Sequence, residues 1–181
     1  MRPAGEHLDA YVDALERGWS PDTERDDARF EELEEIARSP ETFLRLLDDP
    51  AAEGKPIELP DGTRVPRLPG FRRWIWDGDF CGSIGFRWTP GSAALPPTCL
   101  GHIGYAVVPW KRGRGYAKAA LALILPEARE RGLPYVELVT DVDNLASQRV
   151  VLASGGELVE RFAKGAHFGA KVGLRFRIAL Q

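Results

Sequence analysis

Residues 101–121 read GHIGYAVVPWKRGRGYAKAAL. The run from Leu100 to Val108 is β-branched and aromatic and is stopped by Pro109, which reads as a strand. From Ala117 an apolar series continues through Ala120, Leu121, Ile124, Leu125 and Ala128, at the spacing of one buried helical face, so the spacing predicts a helix over 112–131. Pro126 lies inside it and is expected to kink it. A second β-rich run, Tyr135 to Thr140, follows. Strand, helix, strand in this order is a β-α-β crossover, a connection that joins parallel strands with a right-handed turn.

The strand-to-helix turn of that crossover is Lys111 to Ala117, KRGRGYA. Glycine weakens a helix, so two of them at a helix start call for a reason. The first turn of a helix leaves backbone N–H groups without partners, and its dipole favours an anion. Glycines let a phosphate approach that backbone closely, and Lys111, Arg112 and Arg114 add positive charge. The turn is built as a pyrophosphate cradle. It does not meet the dinucleotide pattern, which needs a third glycine, and it lacks the Gly-Lys-Ser/Thr of a P-loop.

Outward from this centre, Phe71-Arg72-Arg73-Trp74-Ile75-Trp76 and Phe80 to Phe86 are two strands joined through Asp77-Gly78, a strong hairpin signal. Asn144 to Ser154 is a helix ended by Gly155-Gly156, and strands are expected over 157–163 and 170–179. Residues 51–70 read as a loop in which Asp61-Gly62 makes a tight turn, and TPGSAALPP (89–97) as another. In the N-terminal part, helices are expected over 7–17, with Leu8, Tyr11, Val12 and Leu15 on one face, and over 30–37, with Phe30, Leu33, Ile36 and Ala37. Ser39-Pro40 caps a third helix that stops before Pro50. The fold class is therefore α+β: a mixed, mostly antiparallel sheet with one β-α-β crossover, flanking helices and a helical N-terminal segment. One domain over residues 1–181 is expected, divided into helical segment 1–50, loop 51–70, and sheet with binding motifs 71–181.

Composition narrows the function. Hydrophobic residues make up 44% of the 181 and charged residues 28%, as in an ordinary globular chain. No apolar stretch is long enough to span a bilayer and no signal-peptide core is seen, so a cytoplasmic protein with no membrane partner is expected. Cys81 and Cys99 build neither a disulfide framework nor a zinc site, and no metal is expected. The net charge of −3 conceals an asymmetry: residues 1–60 hold 17 acidic against 7 basic side chains, and residues 61–181 hold 10 against 17. The basic part suits an anion; the acidic total argues against a nucleic-acid partner.

Two stretches together carry a family resemblance. GHIGYAVVPWKRGRGYAKAAL resembles the central motif of the GNAT acetyltransferases, in which a bulged strand leads into Arg/Gln-x-x-Gly-x-Gly/Ala; here Arg112, Gly113, Arg114, Gly115, Tyr116 and Ala117 occupy that pattern. DVDNLASQRVVLASGGEL (141–158) resembles the next motif, with Asn144 opening a helix, Ser147 three positions on, and Gly155 closing it. The match covers roughly residues 70–180 and looks closest to a bacterial branch of predicted acetyltransferases.

The resemblance implies acetyl-CoA as cosubstrate, its pyrophosphate on the 112–117 turn, Asn144 and Ser147 near it, and its pantetheine paired with Ala106, Val107 and Val108. A backbone N–H in that strand segment would stabilise the oxyanion of acyl transfer. The implied reaction is direct N-acetylation. An amine attacks the thioester carbon, the C–N bond forms as the C–S bond breaks, and the amine's proton goes to a base. His102 takes the strand position where histone-acetylating members hold a glutamate, and its ordinary pKa suits a base; the competing reading is a histidine that only packs and hydrogen-bonds. Glu137, Asp141 and Glu160 are weaker candidates. Many members carry a tyrosine acid seven residues after the Asn; Val151 stands there, so the acid is unassigned. A cationic small-molecule amine or a peptide amine suits the acidic N-terminal part with Trp19, Phe71, Trp74 and Trp76, unless these aromatics are core. A homodimer is compatible with the sequence. The rival class is a non-catalytic acyl-CoA-binding sensor.

Overall fold

The computed structural model describes residues 1–180. Three helices open the chain: α1 (Leu8–Glu16), α2 (Ala28–Arg38) and α3 (Pro40–Leu46). Ser39 caps α3 as its sequence predicts, its Oγ accepting from the Thr42 N–H at 3.3 Å with Pro40 in the first turn. Phe30, expected on the buried face of α2, is 52% exposed; Ala28 and Ile36 are the buried positions. The 51–70 loop holds a small antiparallel pair, β2 (Ile57–Glu58) with β3 (Arg64–Val65), around the Asp61-Gly62 turn; β1 (Asp48–Asp49) precedes it.

The predicted hairpin is present as β4 (Gly70–Trp76) and β5 (Phe80–Arg87). Then come β6 (Ile103–Val107), α4 (Tyr116–Glu130), β7 (Tyr135–Asp141), α5 (Leu145–Leu152), β8 (Glu157–Ala163) and β9 (Val172–Ala179). Helix α4 continues through Pro126.

The strands form two main antiparallel sheets, ordered β1-β4-β5-β6 and β7-β9-β8. The crossover runs as predicted from β6 through α4 to β7, but β6 and β7 share no ladder. They are joined at one end, where the His102 N–H donates to the Glu137 carbonyl at 2.8 Å and the Glu137 N–H donates to His102 Nδ1 at 3.0 Å. A Cβ on Gly101 would come within 2.8 Å of the same Glu137 carbonyl, so the backbones nearly touch there. Beyond this link the facing edges of β6 and β7 carry no mutual hydrogen bonds, and a gap opens between the two sheets.

Two cores flank the first sheet. On one face α4 buries Ala120, Leu121, Ile124 and Ala128 against Ile84, Phe86, Ile103, Val136 and Phe176. On the other face the N-terminal helices bury Tyr11, Leu15 and Trp19 against Trp74, Phe80 and Val108. Tyr11 stacks on Trp74 with centroids 4.8 Å apart. Strand β4 feeds both cores because successive side chains point to opposite faces.

Candidate active site

The helix after the basic turn begins at Tyr116, four residues later than its apolar spacing predicts. Gly113 has φ 78° and Gly115 φ 82°, left-handed values that no right-handed helix contains. These glycines bend the chain so that the N–H groups of Gly113 to Lys118 find no protein acceptor among the described residues; the first helical bond is Ala119 to the Gly115 carbonyl, 3.0 Å. A Cβ at Gly113 or Gly115 would meet no protein atom within 4 Å, so the space above them is open. Open space, free donors and a helix start together fit an anion such as a pyrophosphate.

The basic side chains divide. Arg112 and Arg114 are exposed at the turn, and Arg112 Nε donates to the Val107 carbonyl at 3.2 Å, tying the turn to the end of β6. Lys111, expected to add charge to the cradle, faces away. Its Nζ sits 2.8 Å from Asp77 and 3.2 Å from Asp79 in the β4–β5 turn, and these carboxylates hold its pKa above the ordinary lysine value. The Tyr116 hydroxyl also donates to Asp77. Hydrogen bonds from Lys111 and Tyr116 keep the Asp77 carboxyl well below the usual carboxylate range. Asp77 thus staples the hairpin to the two ends of the glycine turn, at Lys111 and Tyr116. Sequence reading saw it only as a turn residue, because its partners lie 34 and 39 positions away.

Strand β6 pairs with β5 in unbroken register, without the bulge that the resemblance implies. The Val108 N–H donates to the Cys81 carbonyl and the Arg87 N–H to the His102 carbonyl. By the alternation of an antiparallel ladder, Ala106 also faces β5, whereas the N–H of Val107 faces the gap. Of the three predicted strand residues, Val107 alone presents a backbone N–H there; Val108 is fully buried. Gly82 lies opposite Val107 with φ 143°, and a Cβ on it would overlap the Ala106 carbonyl oxygen. This close approach has no sequence signal.

Asn144 caps α5 as expected, its Oδ1 accepting from the Ser147 N–H at 3.1 Å. The Ser147 and Tyr105 hydroxyl oxygens are 2.7 Å apart, which spans the gap from β6 to the start of α5. Burial raises the Tyr105 pKa. Val151 is fully buried in the α4-side core.

His102 does not present a base to the gap. Its ring is 0% exposed and packs edge-on to Tyr135. Because Nδ1 accepts from the Glu137 N–H, the ring proton resides on Nε2, so neither nitrogen keeps an open lone pair. Nε2 is buried and meets no hydrogen-bond partner among the described residues. Burial pushes the ring pKa below the ordinary histidine value. The other carboxylate candidates are engaged: Glu137 by Arg177 at 2.7 Å and Arg175 at 3.4 Å, Asp141 by Lys164 at 2.6 Å, and Glu160 by Arg175 at 3.4 Å.

On the face opposite α4, a cavity of about 310 Å³ reaches the gap at Gly101, Gly104, Tyr105 and Val139. Its outer wall is N-terminal, built from Pro21 to Glu24, Ile57 to Leu59 and Arg67. Trp19 and Trp74 take no part in it: both are core. The N-terminal carboxylates are largely matched locally, as in Arg72–Glu32 at 2.6 Å, Lys55–Glu35 at 2.8 Å and Arg64–Glu58 at 3.1 Å.

Comparison with known proteins agrees with this arrangement. No curated protein matches the chain in sequence. Among solved structures, the microcin C7 self-immunity acetyltransferase, in complex with acetyl-CoA and AMP, superposes with a TM-score of 0.62 at 12% identity, covering 99% of this chain and 90% of that one. A Bordetella pertussis protein assigned to the GNAT family gives 0.56 at 18% identity over 98% and 93% of the two chains. A Vibrio cholerae protein assigned as a ribosomal-protein-serine acetyltransferase gives 0.56 at 15% over 98% and 91%. These likenesses establish the fold. The chain spans only 60% of the length of a Salmonella typhimurium acetyltransferase structure that holds acetyl-CoA. The family model described as an acetyltransferase (GNAT) domain matches residues 21–157, most of the chain, and so the chain belongs to the GNAT acetyltransferase family.

Proposed function

We propose that the protein transfers the acetyl group of acetyl-CoA directly to a primary amine of a small molecule or a peptide. The observation that carries this reading is the row of unpartnered N–H groups from Gly113 to Lys118, at the end of a strand whose free edge faces the gap. Bound there, acetyl-CoA supplies an activated thioester. Gly113 and Gly115 admit its pyrophosphate to the backbone, and Arg112 and Arg114 neutralise it. The N–H of Val107 donates to the acetyl carbonyl oxygen. Asn144 and Ser147 hold the start of α5, and Tyr105 bridges to it.

The acceptor enters from the cavity on the N-terminal side, so the helical segment and the sheet work as one unit over residues 1–181. His102 joins the sheets in its neutral form and is a positioning residue; the amine loses its proton to water. The protein's amines are cytoplasmic ones in this reading; among the described residues no helix is long and apolar enough to cross a membrane. A second reading, an acyl-CoA-binding sensor, is favoured by one observation: Val151, where many relatives hold the tyrosine acid, is sealed in the core.

Calorimetry with acetyl-CoA tests the cradle. Binding is expected to weaken with salt and to fall at least about tenfold in Gly113→Asp and Gly115→Asp, since each adds a negative charge a few ångströms from the pyrophosphate. Equal affinity in both variants refutes the cradle. A coenzyme-release assay over cationic, neutral and peptide amines then separates catalyst from sensor, which would never exceed the amine-free background.

A further inference from the structure

The acceptor cavity contains seven charged side chains, and six have partners. Asp49 accepts from the Glu53 and Gly54 N–H groups at 2.8 and 2.9 Å, and Arg67 stands 3.9 Å from it. Arg72 is held by Glu32 and the Tyr11 hydroxyl. Glu58 pairs with Arg64, Glu24 with Lys164, and Asp22 accepts from the Glu24 N–H at 2.8 Å. The seventh, Arg87, makes no ion pair or side-chain hydrogen bond with any described residue.

Its setting is built for it. Ser83, Gly85 and Arg87 alternate onto the cavity face of β5, and Gly104 faces Gly85 across the ladder. The guanidinium leans over this glycine pair towards the gap: Nη2 lies 3.3 Å from where a Cβ on Gly104 would be and 3.9 Å from the same point on Gly85. Any side chain at Gly104 would push it away. Arg87 is half-buried as a residue, and its guanidinium, with five donors and no protein acceptor among the described residues, is open to an anionic ligand from the cavity.

We infer that Arg87 binds an anionic group of the acceptor, so that the substrate is an amine carrying a carboxylate or phosphate at its far end. This rests on the acetyl-transfer reading above and names its substrate class. The acetylation point is set by Val107, three residues beyond Gly104 along β6, which separates amine from anion by on the order of 10 Å. An ω-amino acid, an aminoalkyl phosphate or a short peptide with a free C-terminus has that reach; an α-amino acid does not. Within the sequence expectation of a cationic small molecule or a peptide amine, Arg87 favours an acceptor that also carries an anion.

The test is coenzyme release with matched acceptors: glycine, 6-aminohexanoate, 6-aminohexyl phosphate and triglycine, the amides of the acids, and spermidine as the purely cationic control. In the wild type, 6-aminohexanoate or triglycine, or the aminoalkyl phosphate if that is the source of the anion, should exceed the amide and spermidine in kcat/KM by roughly 10- to 100-fold, the range for a charge-assisted bond. Arg87→Met should collapse that ratio to about one, mainly through KM, and Arg87→Lys should restore part of it. Unchanged acetyl-CoA affinity by calorimetry shows that both variants fold. If spermidine and the amides are acetylated at least as well as the acids, and Arg87→Met leaves every ratio unchanged, the inference fails while the acetyltransferase reading stands. If acetyl-CoA binds but no amine releases coenzyme, the catalytic reading fails and this inference with it.

Discussion

Removing the His102 ring should act on stability before it acts on chemistry. In His102→Ala the Glu137 N–H, now bonded at 3.0 Å, is left buried without an acceptor, at a cost of about 1–3 kcal/mol. The emptied ring volume, fully enclosed and edge-on to Tyr135, adds about 2 kcal/mol of lost packing. A total of about 3–5 kcal/mol is a large share of a typical domain's stability. His102→Asn places a carbonyl oxygen near the Nδ1 position and should recover the hydrogen-bond part.

The pH dependence has a definite sign. Burial lowers the folded-state pKa of His102, so below about pH 6.5 the unfolded chain binds a proton that the folded one refuses. Its contribution is complete above pH 6.5 and is lost as pH falls towards the depressed folded value, by up to about 1.4 kcal/mol per pH unit. Urea unfolding of wild type, His102→Ala and His102→Asn between pH 5 and 8 measures both effects, and the wild-type loss at low pH should be absent in the asparagine variant. The reasoning is refuted if His102→Ala unfolds at the wild-type midpoint yet turns over 10²–10⁴-fold more slowly with its histidine limb gone, the range for a positioned base.

Two further outcomes follow from the contacts around the cradle. Gly82→Ala must tolerate φ 143° and push the Ala106 carbonyl aside, so a loss of about 1–3 kcal/mol from backbone conformation alone is expected, with weaker acetyl-CoA binding as Val107 shifts; urea midpoints and calorimetry check the two parts. Asp77→Asn should lower the thermal midpoint at pH 7 and speed amide exchange over residues 111–118, and because the Asp77 carboxyl is depressed in the fold, the wild-type advantage should shrink as pH falls below about 4. A midpoint difference that persists unchanged at pH 3 would show that the Lys111 and Tyr116 contacts do not hold the turn.

What the chain determined by itself is what near neighbours decide. The period of apolar residues located α1, α4 and the β4–β5 hairpin, Ser39-Pro40 and Asn144 fixed the starts of α3 and α5, and Arg112 to Ala117 marked the glycine turn proposed as an anion cradle, because capping, turn geometry and helix-start electrostatics act over a few residues. Tertiary structure decided the rest. The sequence predicts α4 from 112, with the basic turn counted into it, but two left-handed glycines delay its start to Tyr116. His102 became a link between sheets because Glu137, 35 positions on, was brought against its ring. Lys111 turned to Asp77, Val108 gave its N–H to Cys81, and Trp19 and Trp74 filled a core. Arg87 came to stand over Gly85 and Gly104 with no partner among the described residues, while Arg72 met Glu32 and Tyr11, and Glu24 met Lys164, from distant segments. Which donors and charges remain unpaired follows from long-range packing, and local sequence patterns do not contain it.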